Sequence, residues 1–258
     1  MIEVECYRSL AEKALGRKIA AVHSPDPWYL KGAAAAGLVE GVLVGRRFAG
    51  ARRIGKLLLL DVDDGPVVGV RFGMTGSLLV DGVDAVGQLQ YTSSRRDPAW
   101  DRWSVEFADG GGMVVHDPRR LGGVSLDPDV SGLGPDASSV GVAGLAAALA
   151  GGSAPIKARL LDQSRLAGVG NLLADEVLWR AGLSPRRPAG SLTPAEVRRL
   201  HRQLVRTLDE LTIRGGSHLG DMTGERHSDG VCPKDGTPLM RATVGGRTSW
   251  WCPIHQVG

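Results

Sequence analysis

The chain has 258 residues, 43% of them hydrophobic and 23% charged, a composition that excludes a disordered or fibrous chain and leaves room for about two globular domains. No apolar run reaches the about 18 residues of a membrane span and no basic-then-apolar leader opens the chain, so a cytoplasmic protein with no membrane partner is expected. The net charge of +3 is unevenly divided, with 15 Lys and Arg against 10 Asp and Glu from Lys157 onward, which favours a polyanionic partner; three cysteines are too few for a disulfide framework and suit a metal site better.

Glu3 to Gly16 places Val4, Leu10, Ala11, Ala14 and Leu15 at helical spacing and predicts a short amphipathic helix ended by Gly16. From Lys18 the texture changes to short β-type runs: Ile19 to Val22, Gly45 to Ala49, Lys56 to Val62, Val67 to Phe72, Ser77 to Val80, Trp103 to Phe107 and Met113 to His116. Asp-Gly, Gly-Pro and Gly-Gly pairs punctuate them, and such spacing predicts a β-sandwich or barrel, with one added helix over Ala33 to Val44. The fold expected is α+β in two domains. Residues 1–127 form the sandwich with its flanking helices, and the Gly-, Ala-, Ser- and Pro-rich stretch 128–154 is a linker holding a short helix at Leu145 to Ala150.

Residues 155–222 read as a helical domain and 223–258 as a small hairpin unit. In Ile156 to Pro185 a mixed segment from Leu160 to Arg165 is broken by Gly168 and Gly170, and apolar residues then recur at helical spacing from Leu172 to Ala181. Asn171 is a good N-cap type, Asp175 and Glu176 suit early helical turns, and Gly182 followed by Pro185 is a stop signal. A helix start led in by glycines offers free N–H groups that suit a phosphate, although a packed hairpin of helices has the same signature. Thr193 to Ile213 carries a capping-box start, Thr-Pro-Ala-Glu, before a long amphipathic helix.

The tail pairs Cys232 and Asp235 with Cys252 and His255, each pair separated by two residues. Two such pairs at the turns of a hairpin can hold one tetrahedral, structural zinc ion. Aspartate is an unusual member of the set, so His227 or His218 is an alternative ligand. A metal-free finger held by Leu239, Trp250 and Trp251 is another reading of the same spacing.

Taken together these motifs resemble the Fpg/Nei family of formamidopyrimidine-DNA glycosylases over nearly the whole chain. Leu161-Asp162-Gln163 with Gly168-Val169-Gly170-Asn171 to Glu176 resembles its helix-two-turn-helix, and the Cys232 to His255 spacing resembles its four-cysteine finger. Arg52 to Lys56, Phe72 to Gly76 and Asp117 to Gly122 resemble its three sheet-edge DNA motifs, in the family's order. The resemblance implies a DNA glycosylase and abasic-site lyase of base-excision repair, acting as a nucleoid-associated monomer on double-stranded DNA that carries a damaged base or an abasic site. It implies Lys56 beside the lesion and a flanking phosphate, with Met74, Arg119 and Leu121 filling the gap left by a flipped nucleotide. Lys157, Asn171 and Arg247 would hold phosphates. Leu121 stands where the family often has Phe, which keeps an apolar wedge without aromatic stacking.

The N-terminus departs from the pattern. Family members expose a proline amine followed by glutamate, the amine attacking C1′ to form a Schiff base. Here Ile2-Glu3-Val4-Glu5 aligns with the Pro-Glu-Val-Glu that begins the family's first helix, and the three residues before that match in the family, including the catalytic proline and glutamate, have no counterpart in this sequence. Three readings follow: a native start further upstream, replacement of the pair by the Met1 amine and Glu3, or a sensor that binds abasic or distorted DNA without cutting it. An α-amine is a competent nucleophile, but three residues remove up to about 10 Å of reach. The short interval from Gly215-Gly216-Ser217 to Cys232, where the family often has a longer base-covering loop, also argues against an oxidised-purine substrate. A zinc-finger transcription regulator is the reading from another class, and it requires sequence-specific rather than lesion-specific binding.

Overall fold

The computed structural model describes residues 1–32, 36–87, 89 and 96–258 and divides them into two compact units. One unit spans Glu3–Val130; the other joins Met1–Ile2 to Ser131–Gly258.

The first unit takes in α1 (Ile2–Ala11) from Glu3 onward, continued by a 3-10 turn over Glu12–Ala14, which shortens the predicted helix at its C-terminal end. Its strands in chain order are β1 (Ile19–His23), β2 (Leu30–Lys31), β3 (Phe48–Ile54), β4 (Leu57–Val62), β5 (Val68–Arg71), β6 (Ser77–Val80), β7 (Val83–Asp84), β8 (Asp101–Phe107), β9 (Gly112–His116) and β10 (Gly123–Leu126). They form two five-stranded sheets, β1-β8-β9-β6-β7 and β2-β10-β5-β4-β3, antiparallel except for the β2–β10 pair. The helix expected over Ala33 to Val44 appears as α2 (Ala36–Leu43), and positions 33–35 of that expectation lie outside the described residues.

Side chains from both sheets share one core. Leu58, Leu60, Val68 and Val70 of one sheet meet Leu78, Val80, Trp103, Val105, Met113 and Val115 of the other, so alternation along each strand has produced two inward faces. Tyr7 of α1 joins that core with its ring 4.5 Å from Phe72. The strand expected at Gly45 to Ala49 instead starts at Phe48, because Gly45 is left-handed (φ +85°) and ends the preceding helix. The strand then continues through two arginines, a pair that hides its alternation: Arg52 reaches out to Asp61, while Arg53 turns inward to Glu5.

The second unit contains α3 (Val142–Leu149), α4 (Ile156–Leu161), α5 (Asn171–Ala181), α6 (Pro194–Arg214) and the hairpin β11 (Met240–Val244) and β12 (Arg247–Trp251). The stretch 128–154, expected as a linker, lies mostly in this unit. Ala137, Val140, Leu145, Ala148 and Leu149 are part of its core beside Ile156, Leu173, Leu204 and Leu208. Small residues that read as flexible spacing are what let α3 pack closely against α4 and α6.

Thr193 caps α6 with the full capping box, its hydroxyl accepting from Glu196 N while the Glu196 carboxylate accepts from Thr193 N. Gly182 ends α5 in the left-handed conformation (φ +65°). The tail hairpin belongs to the same compact unit as the helices and shares a small core with α5, in which Trp179 meets Met222, Cys232, Leu239, Trp250 and Cys252. No helix among the described residues is long and apolar enough to cross a membrane.

Candidate nucleic-acid interface and metal centre

In the sheet unit the residues expected at a lesion stand on three turns. Gly55 and Lys56 are the two-residue turn between β3 and β4, with Gly55 at positive φ (+57°), where such a hairpin requires it. Arg53 stiffens this turn from below, donating to Gly55 O at 2.9 Å and to Glu5 of α1 at 2.9 Å. Lys56 is half-buried at the tip.

Met74 sits on the tight turn between β5 and β6 and is 51% exposed. A side chain at Gly76 would collide with Phe72 O, and one at Gly73 (φ +62°) would collide with the Leu121 backbone, so both glycines are required by close approach. Arg119 and Leu121 lie on the loop between β9 and β10. Leu121 is 48% exposed, and the Arg119 guanidinium has no hydrogen bond or ion pair among the described residues. Between them Arg120 is left-handed (φ +57°) and turns the other way, forming a two-pronged pair with the buried Asp26 at 2.6 Å on each prong. The arginine side-chain bonds hold the Asp26 carboxyl below its ordinary range. Apolar and cationic groups are thereby left facing solvent on rigid turns, the combination a wedge into stacked bases needs.

In the helical unit Gln163 closes the turn between α4 and α5. Its amide donates to Leu161 O and Val169 O at 2.9 and 3.0 Å, and its oxygen accepts from Gly168 N at 2.9 Å. Gly168 is left-handed (φ +109°), and Gly170, not Asn171, is the N-cap of α5. Asn171 is the first helical residue, and its Oδ1 has no hydrogen-bond partner among the described residues. Arg247 is exposed at the start of β12, directly after the Gly245-Gly246 turn, where both glycines are left-handed. A side chain at Gly245 would strike Ala158 of α4, so the hairpin tip rests on the helices.

Lys157 is placed elsewhere than the sequence suggests. Its side chain is fully buried, with Nζ 2.6 Å from Asp175 and donating to Thr248 O at 3.0 Å and Ser249 Oγ at 2.7 Å, so it is not presented to a phosphate. Asp175 also pairs with Arg226 at 2.9 Å. Burial pushes the Asp175 carboxyl up and the Lys157 ammonium down, each opposed by the other's charge. Glu176, expected with Asp175 as an ordinary early-helix acid, is equally buried and accepts from Arg180, Asp221 N and Met222 N.

Cys232, Asp235, Cys252 and His255 come together with one potential ligand atom from each within 4.8 Å of the others. Cys232 Sγ is 3.3 Å from His255 Nδ1, Cys252 Sγ is 3.3 Å from an Asp235 oxygen, and that oxygen is 3.5 Å from Nδ1. Sulfur, nitrogen and oxygen ligands around one tetrahedral zinc lie about 3.3–3.8 Å apart, so the donor set fits such an ion. His255 Nε2 lies 2.9 Å from Trp179 O. A carbonyl only accepts, so Nε2 carries the proton and Nδ1 offers its lone pair to the cluster. The Trp179 indole N–H also points at Cys232 Sγ, 3.3 Å away.

At the N-terminus Met1 has its side chain buried in the apolar core of the helical unit with Ile2, Ala137 and Val140. Glu3 is half-buried in the first turn of α1.

Asp117, Gln163, Trp179 and the Asp26–Arg120 pair support these groups and were not singled out for such a role from sequence. Gln163 and Asp117 lie inside the quoted motifs, but only their contacts reveal what they do.

A two-sheet sandwich with exposed apolar and cationic side chains on its turns, followed by a helical unit carrying a hairpin and four clustered potential metal ligands, defines an α+β class of two-domain fold. Residues 1–124 match the formamidopyrimidine-DNA glycosylase N-terminal domain and residues 132–222 the formamidopyrimidine-DNA glycosylase H2TH domain. The formamidopyrimidine-DNA glycosylase of Thermus thermophilus is 35% identical across 98% of this chain and 97% of its own. That of Paracoccus denitrificans is 35% identical across 83% and 84%. The Lactococcus lactis enzyme, solved non-covalently bound to DNA containing an abasic site, superimposes with a TM-score of 0.84 at 23% identity, covering 99% of this chain and 98% of that one. The chain belongs to the formamidopyrimidine-DNA glycosylase family.

Proposed function

We propose that this chain recognises damaged duplex DNA in base-excision repair, holding an extruded nucleotide or abasic site and carrying its family's glycosylase and abasic-site lyase chemistry. The observation that carries the reading is the trio Met74, Arg119 and Leu121, projecting into solvent from turns whose neighbours are tightly bonded. Unstacking a base step costs a few kcal/mol, and burying an apolar side chain such as Leu121 in the gap returns about 1.5–3 kcal/mol. Arg119 supplies hydrogen-bond donors for the base left without a partner.

Lys56, Asn171 and Arg247 are assigned to phosphates, Asn171 at the start of α5 and the two cations at hairpin turns. Cys232, Asp235, Cys252 and His255 are assigned to one structural zinc ion. The zinc would hold the hairpin that presents Arg247 and take no part in bond cleavage.

The test is a pair of duplexes that differ only at one abasic-site analogue. Tighter binding of the abasic duplex by tenfold or more supports the reading, and equal affinity for both overturns it. Borohydride reduction on a natural abasic site then tests the chemistry, since a Schiff base is trapped as a covalent adduct. A second reading is binding without cutting. Retained abasic preference with no adduct selects it, and a trapped adduct rejects it.

A further inference from the structure

The side chains of Met74, Arg119 and Leu121 make none of the polar bonds that orient them; those bonds are made by the Arg119 backbone and by the residues that follow Met74 and Leu121. Asp117 is fully buried. Its Oδ1 accepts from Thr75 Oγ1 at 2.6 Å and from Arg119 N at 3.2 Å, and its Oδ2 accepts from Gly122 N at 2.9 Å. Thr75 follows Met74 and is itself 1% exposed, while Gly122 follows Leu121. One carboxylate therefore bonds at or next to every member of the trio, across two loops distant in sequence.

The chemistry of that hub is specific. An ionised carboxylate only accepts, with about four lone-pair positions, and here all three partners are neutral donors. Among the described residues no cation bonds the carboxylate, so Arg119 keeps its charge at the surface. The two loops also touch directly, since a side chain at Gly73 would lie 2.7 Å from the Leu121 carbonyl carbon. Arg102 adds a lateral clamp, donating to Asp117 O at 2.9 Å.

We propose that Asp117 is a positioning residue for lesion recognition: through Thr75, the Arg119 amide and the Gly122 amide it sets Met74, Arg119 and Leu121 as one preorganised insertion unit. The inference rests on the DNA reading above. Fixing the three side chains before DNA arrives removes the ordering cost that binding would otherwise carry, and that cost falls on the abasic complex because only there is the unit inserted. Contacts to phosphate do not depend on it.

The test uses the 258-residue protein with zinc supplied, carrying Asp117→Asn, Thr75→Val or Thr75→Ser, alongside Val115→Ala as a control that opens a cavity in the same core. Dissociation constants are measured for an abasic-analogue duplex and its undamaged counterpart, with 2-aminopurine opposite the abasic position reporting insertion. Asp117→Asn and Thr75→Val are expected to weaken abasic binding roughly tenfold to hundredfold, the equivalent of one lost bond to a charged group. They should also reduce the 2-aminopurine change, with undamaged-duplex affinity held within about twofold. Thr75→Ser, which keeps the hydroxyl, is expected to retain both signals, and Val115→Ala to lower the melting temperature without changing the ratio of affinities. The proposal is overturned if Thr75→Val and Asp117→Asn keep the wild-type ratio, or if Val115→Ala loses it equally. Absence of any abasic preference in the unmodified protein would instead overturn the DNA reading on which the proposal stands.

Discussion

Asp117 and Asp175 are both fully buried carboxylates, one in each unit, and their surroundings are opposite. Asp117 is held by a hydroxyl and two amides. Asp175 is held by two cations, Lys157 at 2.6 Å and Arg226 at 2.9 Å. The first arrangement orients loops and leaves the neighbouring Arg119 free among the described residues. The second consumes positive charge to fasten the tail hairpin to α4 and α5, through Thr248, Ser249 and Trp250. A count of Lys and Arg along a chain therefore overstates the cations that can face a polyanion, because a buried pair removes them from the surface.

A zinc ion held by Cys232, Asp235, Cys252 and His255 would add a third kind of fastening to the same hairpin, and its loss is expected to be the largest effect. Stripping the ion with a chelator, followed by elemental analysis and thermal melting, should abolish the cooperative melting of the hairpin. Structural zinc in small fingers contributes an apparent about 10–16 kcal/mol at neutral pH. If the stripped protein melts unchanged, the hairpin stands on its ion pairs and apolar core alone.

Next in size is Asp175→Asn, which leaves two cations buried without a counter-charge. Urea unfolding should show a loss of about 3–5 kcal/mol, against about 1–3 kcal/mol for Asp117→Asn, which removes one bond among neutral partners. The reverse ranking would break the comparison. Leu121→Ala should leave urea unfolding unchanged, because the side chain is exposed, while weakening abasic-duplex binding by about tenfold.

The smallest effect expected is pH-dependent and concerns α6. Bonds from Arg187 first, then from Thr193, lower Glu196 from an ordinary 4.5 to about 2. A depressed acid stabilises the fold above its unfolded value, so this contribution is complete above about pH 4.5 and is lost as pH falls toward about 2. Glu196→Gln should flatten that part of the acid-unfolding curve and leave neutral-pH DNA binding untouched.

What was legible in the sequence divides along the same line. Local signals survived folding: the Thr193 to Glu196 capping box, the Gly182 stop, the glycine hairpins and the even spacing of short strands all depend on neighbours in sequence. The clustering of Cys232, Asp235, Cys252 and His255 was legible for the same reason, since each pair spans a single turn. Long-range partnerships were not. Asp175 and Glu176 looked like dipole-friendly helix acids, and only packing against residues about 50–75 positions later shows why both are buried. Lys157 looked like a phosphate contact because its partner on the neighbouring helix cannot be inferred from spacing. Composition misled in 128–154, where Ala and Gly mark close helix packing rather than a spacer.

Trp179 ties the geometry of the four potential ligands to the end of α5. It lies in the last turns of α5, and its carbonyl sets the tautomer of His255 while its indole N–H faces Cys232. Both bonds exist only once α5 has wound to its C-terminal end. A zinc ion held by the quartet would then act as a latch on a preformed support rather than as a nucleus. In a refolding experiment, zinc capture should trail the far-ultraviolet helix signal, and adding zinc early should not speed that signal.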